Sequence, residues 1–421
     1  MPRAGSVTPV DADTARTLIA DGLDLLAGLP PYDEGEALAL GTRLRTQGYD
    51  AGLVAAVLSQ SRLRERARAK FGADAARLLF TADGLEQATR REVADRHAQR
   101  FAAAGIETVH DLGCGIGSDA LALGRAGLTV RAVDADEATA LLADHNIGAL
   151  GPDAFGQGRS RARQGRAEDA RPSPTEGVWF DPARRTPGRN DASGRTRRTL
   201  RLQDMAPSWE FVQDSAARIP ATGAKLSPAF PHPAIPADTE AEWVSTGGDL
   251  VECALWWGPL AQTPGRVATV VRRSGEVVTV TEADAVGAAP AGTSVVEPGS
   301  LLYEPDLAVL QAGLVGALSD AVEGAELGEG AGYVVSEERI DVPYARRHRV
   351  TDVLPAQVKA VKAWLRREGV TGLTIKRRGG RLDPEEFRRR LGLSARGGDQ
   401  ATLLLTVGPD GPLALVLDRE A

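Results

Sequence analysis

The chain has 421 residues, 43% of them hydrophobic, and its 50 Lys and Arg against 57 Asp and Glu leave a net charge of −7. This is ordinary globular composition, long enough for two or three domains, and it gives no global case for nucleic-acid binding. Two cysteines, Cys114 and Cys253, permit one disulfide at most. With no run of about 18 apolar residues and no signal-peptide core after Met-Pro-Arg-Ala-Gly, a soluble cytoplasmic protein without membrane or metal partners is expected.

Residues 1–101 read as a helical domain. Apolar positions recur at three- and four-residue spacing over 15–26, 38–44, 51–67, 73–79 and 85–101, which predicts helices there. Arg62, Arg64, Arg66, Arg68 and Lys70 form a basic run, either a phosphate-facing patch or a solvated helix face. Thr81 and Leu85-Glu-Gln-Ala-Thr89 stand just before the next domain, where they either cover a cofactor or pack on the first strand.

Strand and helix alternate over residues 102–280, predicting an α/β fold with a Rossmann-like parallel sheet covered on both faces. Strands are expected at 107–112, 128–133, 161–165, 177–181 and 222–226, and the apolar runs 241–246, 249–257 and 266–273 suggest an antiparallel finish. The first strand leads into Asp111-Leu-Gly-Cys-Gly-Ile-Gly117. Gly113, Gly115 and Gly117 allow backbone angles and close approaches that a Cβ would block, and Ser118-Asp119 can start the following helix. A dinucleotide would bring a pyrophosphate to this turn, where Asp111 would repel it. S-adenosylmethionine (SAM) carries a cationic amine and sulfonium and no phosphate, so the acid argues for SAM. The second strand ends in Asp134, a carboxylate placed for a ribose diol.

The fourth strand ends in Asp181-Pro-Ala-Arg-Arg185. Asp181 is the candidate to contact a substrate nitrogen or the cofactor amine, and Pro182 stops the strand and stiffens the turn. Arg184 and Arg185 begin a loop that also holds Arg189, Arg195, Arg197, Arg198 and Arg201, opposed by Asp191. Such a loop either grips an RNA backbone or is simply solvated. At the fifth strand's end, Lys225 and Ser227 face the same pocket, with Lys225 either on substrate phosphate or in solvent. His232 either relays a proton or does nothing.

Residues 281–330 hold nine acids and no Lys or Arg, whereas 331–400 hold 16 basic residues against nine acids. This contrast marks a boundary between an acidic linker with one helix at 307–322 and a compact α+β unit over 331–421. In that unit strands are expected at 333–336, 372–376, 401–406 and 412–417, helices at 355–368 and 384–391, and basic segments at 346–349 and 377–381.

Taken together, Leu85-Glu-Gln-Ala-Thr89, Asp111-Leu-Gly-Cys-Gly-Ile-Gly117, Asp181-Pro-Ala-Arg-Arg185, Lys225-Leu-Ser-Pro228, Tyr333-Val-Val-Ser336, Ile375-Lys-Arg-Arg-Gly379 and residues 382–391 resemble bacterial class I SAM-dependent methyltransferases that carry a C-terminal THUMP-like domain. The resemblance spans nearly the whole chain. It implies Asp111 and the glycine turn near the methionine part of SAM, Asp134 on the ribose and Asp181 beside the methyl group. It also implies a nucleic-acid substrate, RNA before DNA, because THUMP domains accompany RNA-modifying enzymes. At the third strand many relatives have Gly-Asp-Ala, and this chain has Gly165-Arg-Ala-Glu-Asp169, so Glu168 or Asp169 takes the adenine. The family's aspartate after Ser-Pro is replaced around Phe230 and His232.

In-line transfer of a methyl group to an RNA base nitrogen is the expected reaction, with Asp181 as acceptor or orienter. Three rivals stand beside it. One is an RNA-binding module with decayed catalysis. Another is pyrimidine C5 methylation, which needs Cys114 or Cys253 as nucleophile. The third is methylation of a small molecule.

Overall fold

The computed structural model describes residues 10–150, 160–182, 185–190, 196–198, 202–285, 296–328, 331–378, 382–393, 401–408 and 411–419. Two compact units emerge: Met1–Ser227 with Leu255–Gln262, and Pro228–Ala254 with Thr263–Ala421. No helix among the described residues is long and apolar enough to cross a membrane.

The first unit begins with helices. The longest, Ala51–Phe71, is capped by Asp50, whose carboxylate accepts from the backbone of Gly52 and Leu53, and it buries Val54, Val57, Leu63 and Ala67. Two of the expected helices differ. Residues 73–79 form a 3-10 turn, Gly72–Ala76, followed by an extended stretch held by side-chain amides. Gln60 exchanges hydrogen bonds with the Phe80 backbone, and Asn146 does the same with Leu79. Residues 85–101 form two helices, Ala82–Gln87 and Arg91–Ala103. The break has a cause outside its own sequence: Lys70 Nζ donates to the carbonyls of Leu85, Glu86 and Ala88, closing the first helix. Burial, then the Lys225 and Arg90 charges, holds the Lys70 amine down to about 8. Arg64 likewise turns inward to the Leu78 carbonyl. The basic run is therefore not one patch.

Five parallel strands follow: β1 Thr108–Leu112, β2 Thr129–Asp134, β3 Arg161–Gln164, β4 Gly177–Phe180 and, after the two-stranded antiparallel pair β5 Arg185–Asn190 and β6 Thr196–Arg198, β7 Thr222–Leu226. Their order is β3-β2-β1-β4-β7. The order reverses beside β1, so β1 and β4 carry their residues to the point where such sheets bind ligands. Behind β4, Trp179 stacks on Trp256 at 5.0 Å, and Gly223 of β7 makes room: a Cβ there would lie 2.7 Å from the Trp256 ring. The arginine-rich segment, expected as a loop, thus contains a short hairpin, and Arg184, Arg195 and Arg201 lie outside the described residues.

In the second unit, β8 Glu240–Thr246, the first part of β9 Asp249–Trp256, β10 Gly265–Val271 and β11 Val277–Thr281 come first. Here the expected antiparallel finish holds only in part. β10 runs parallel to β8, and β11, which lacks a strong apolar run, is its antiparallel neighbour through the Arg272–Glu276 turn. Pairing direction depends on which distant strand is met, a property that apolarity does not carry.

The C-terminal sheet comprises β12 Leu301–Pro305, β13 Ala325–Glu326, β14 Val334–Ser336, β15 Ala345–Pro355, β16 Leu373–Arg377, β17 Ala401–Gly408 and β18 Gly411–Arg419, in the order β13-β14-β12-β15-β18-β17-β16. Alternation sorts its two faces. Leu403 and Leu405 pack with Val361, Trp364, Phe387 and Leu391 of the helices Val358–Glu368 and Pro384–Leu391, while Leu404 packs with Leu302, Tyr333 and Val350. Two expectations are revised. The acidic segment is more than linker, since β12 lies between β14 and β15, and the helix expected at 307–322 is two, Leu307–Gln311 and Val315–Ala321, separated at Gly313 with φ +70°. The basic segment 346–349 belongs to β15.

Glu304 of β12 is half-buried, and its Oε2 accepts from His348 Nε2 at 3.0 Å and Lys376 Nζ at 2.6 Å. Burial acts to raise this carboxyl, but the two donors outweigh it and hold it at about 2 against an ordinary 4.5. Its stabilising contribution is therefore complete above about pH 4.5 and is lost as pH falls toward 2. Glu304→Gln should lower stability in urea titration at neutral pH by on the order of 2–3 kcal/mol. The variant's deficit should shrink between pH 4.5 and 2.

Candidate active site

The site starts from β1. Asp111 lies in register with Ala132 of β2 and Trp179 of β4, and it is fully buried. The chain leaves the sheet at Gly113, where the backbone N–H groups of Gly113 and Cys114 both donate to the Val133 carbonyl, at 2.9 and 3.0 Å. Gly113, Gly115 and Gly117 have φ of +93°, +54° and +90°, the left-handed region that glycine enters without strain. At the tip of β2, Asp134 ties down this turn: Oδ2 accepts from Gly115 N at 3.0 Å and Oδ1 from Asp136 N at 2.9 Å. The following helix, Ser118–Arg125, starts at Ser118 as expected, directly after Gly117, although neither Ser118 nor Asp119 caps it. Asp119 is used elsewhere.

Gly113 also lets two motifs meet. A Cβ on it would lie 2.6 Å from the Asp181 carbonyl oxygen, and the Asp181 N–H donates to the Leu112 carbonyl at 3.2 Å. The glycine turn and the end of β4 therefore pack backbone to backbone.

Behind them runs a chain of polar side chains. Lys225 Nζ donates to Asp181 Oδ2 at 2.8 Å and to Thr89 Oγ1 at 2.9 Å. Thr89 Oγ1 donates to Asp119 Oδ2 at 2.7 Å, and His97 Nδ1 lies 2.8 Å from Asp119 Oδ1. The His97 ring stands 4.3 Å from that of Trp179. Burial acts to raise Asp119, yet the His97 hydrogen bond and the His97 and Lys225 charges hold it below its ordinary value. Asp111 has no such partners. Both its carboxyl oxygens lack hydrogen bonds among the described residues, and burial, then the Asp119 and Asp181 charges, pushes its pKa far upward. Burial also raises Asp134 despite its two N–H donors.

The remaining candidates are placed as follows. Lys225 is not in solvent: only 6% exposed, it is committed to Asp181 and Thr89. Ser227 is half-buried just past β7, and Pro182 is buried. Glu168 and Asp169 form the 3-10 turn Ala167–Asp169 after β3, Glu168 half-buried and 3.4 Å from Arg166, Asp169 exposed. Arg184 lies outside the described residues, and Arg185 enters only as backbone of β5. In the second unit, His232 Nε2 lies 2.8 Å from the Gln311 carbonyl and its ring packs against Trp243, which is a structural role. Sequence reading missed Thr89, His97 and Asp119 as one unit. The available signal was His97 on the apolar stripe Val93, Ala94, Phe101, a buried position that needs a partner.

Gly113→Ala combines a left-handed backbone with a collision against Asp181 O. It should destabilise the first unit by about 2–4 kcal/mol in chemical denaturation. An unchanged midpoint would mean that this contact carries no weight.

The family described as THUMP domain-like matches residues 345–419, and a domain of unknown function matches residues 11–67. An uncharacterised S-adenosylmethionine-dependent methyltransferase of Mycobacterium tuberculosis, present in strains H37Rv and CDC 1551, is 31% identical over 355 residues, which covers 82% of this chain and 90% of the relative. A crystal structure from Porphyromonas gingivalis W83, described as a methyltransferase, covers 93% of this chain and 100% of its own at a TM-score of 0.65 and 19% identity, a likeness of fold. At this identity and coverage the chain belongs to the same family, the class I SAM-dependent methyltransferases, here with a C-terminal THUMP-like domain.

Proposed function

We propose that the chain methylates a base nitrogen of RNA, with Asp181 as the residue that orients the accepting nitrogen. The observation that carries this reading is the position of Asp181: it closes β4, touches Gly113 of the cofactor turn through its backbone, and presents a carboxylate held by buried Lys225. Bound SAM supplies an electrophilic methyl group. The residues fit that cofactor. Asp111 is a buried carboxyl with no donor of its own, which suits a cationic group, and the turn Gly113, Gly115, Gly117 offers backbone without side chains. Asp134 keeps lone pairs beyond its two N–H donors for a ribose diol. Glu168 or Asp169, at the end of β3, is assigned to the adenine.

In this assignment Lys225 fixes the Asp181 carboxylate in direction, and Thr89, Asp119 and His97 hold Lys225. Asp181 accepts a hydrogen bond from the amino or ring nitrogen and takes its proton once the N–C bond has formed. Pro182 restricts the backbone that aims the carboxylate. Alignment of the reacting atoms supplies much of the rate, so a small displacement of Asp181 is costly. The case for RNA rests on the THUMP-like match and on the basic surplus of residues 331–400. C5 methylation is disfavoured because both cysteines are buried: burial, then Asp111 and Asp134, pushes the Cys114 thiol up, away from the thiolate such chemistry needs.

Asp181→Ala should abolish methyl transfer while leaving SAM affinity, measured by calorimetry, within a few-fold; retained turnover would remove the assignment. The substrate class is tested by mass spectrometry of nucleosides from total RNA of cells with and without the gene. One methylnucleoside should vanish, and identical profiles would count against RNA.

A further inference from the structure

The second unit holds a cleft of about 1100 Å³ whose walls are the Gly247-Gly248 turn after β8, the end of β10, the end of β12 and residues 340–347. Two arginines converge on the diglycine turn. A Cβ on Gly247 would lie 3.6 Å from Arg273 Cγ, and one on Gly248 would lie 3.1 Å from Arg346 Nη2. Both glycines have positive φ, +61° and +97°, so the turn presents bare backbone beneath the two guanidinium groups. Arg273 and Arg346 are exposed, and among the described residues neither guanidinium is in a hydrogen bond or ion pair. The acids of the cleft, by contrast, are committed. Glu304 binds His348 and Lys376, Asp306 caps a helix through the Ala308 N–H, and Asp341 pairs with Arg347. Arg272 on the rim pairs with Glu276.

Exposed guanidinium forks with no counter-ion, set in a concave site without a side chain between them, match a phosphate group. We propose that this cleft is a phosphate-binding site formed by Arg273, Arg346 and the Gly247-Gly248 turn, and that its occupant is the sugar-phosphate backbone of the RNA. The choice of RNA rests on the proposed function; the phosphate chemistry does not. Gly248 belongs to the site because a side chain there would displace the Arg346 guanidinium. None of Asp111, Asp134 and Asp181 lines the cleft, and its assigned role is to grip.

The full chain and the variant R273A/R346A are titrated against a fluorescein-labelled RNA hairpin by anisotropy over a range of salt, and against tripolyphosphate by calorimetry. The exposed pair R43A/R45A provides a control of equal charge change. The cleft variant should bind RNA at least tenfold more weakly, with a log–log salt slope reduced by about 1.4–1.8 for two lost phosphate contacts. Its SAM affinity should stay within twofold, and the control should match the parent. Equal RNA binding by parent and cleft variant, or an equal loss in the control, overturns the cleft and leaves the RNA reading standing. If the parent binds tripolyphosphate through these arginines but no RNA, the phosphate site stands and the RNA reading falls. If it binds neither, the cleft proposal is overturned.

Discussion

The first unit is organised by the need to satisfy one buried amine. Lys225 ends β7 at 6% exposure, and a charge there without partners would cost several kcal/mol. Its partners come from three other places in the chain: Asp181 after β4, Thr89 between two N-terminal helices and, through Thr89, Asp119 in the helix after the glycine turn. His97 closes the series against Trp179. Satisfying Lys225 thus draws the helical N-terminal segment into the same polar network as the strand ends, and residues 82–97 become part of the site instead of a separate layer.

Electrostatics explains why the network leaves Asp111 out. Burial, then the Asp119 and Asp181 charges, raises Asp111, and burial raises Asp134, while Lys225 serves Asp181 directly and Asp119 through Thr89. Asp134 is partly satisfied by backbone N–H groups; Asp111 is not. The folded chain therefore holds an acceptor with no internal donor at the base of the glycine turn. A cationic ligand group is what such an acceptor lacks, which agrees with the family's use of SAM. The close contact at Gly113 makes the arrangement cooperative, because the glycine turn and the strand end that presents Asp181 cannot move independently.

Much of this was legible in the sequence where the cause is local. The apolar runs ending at Leu112, Val133, Phe180 and Leu226 place the parallel strands, and the alternate glycines mark the turn between β1 and the helix Ser118–Arg125. Features decided by a distant partner were not. The break between Ala82–Gln87 and Arg91–Ala103 depends on Lys70, one helix earlier. β12 joins a sheet from within an acidic stretch because β14 and β15 flank it. Lys225 was read as solvated or phosphate-facing because its residue type favours solvent, and only the juxtaposition with Thr89 and Asp181 reverses that.

Charge counting has the same weakness in the C-terminal region. The basic surplus over residues 331–400 invites the picture of one cationic face, yet several of its arginines are occupied. Arg347 is buried against Asp341, Arg367 lies between Asp352 and Glu368, and Arg388 donates to the Leu373 carbonyl. Arginines committed in this way support the fold, and transferring them to a ligand would cost the contacts they already make. What distinguishes a binding surface is therefore not the number of cations but which of them lack counter-ions where backbone can come close. By that criterion Arg346 differs from its neighbour Arg347: adjacent on β15, one is spent on an acid and the other stands over a glycine turn.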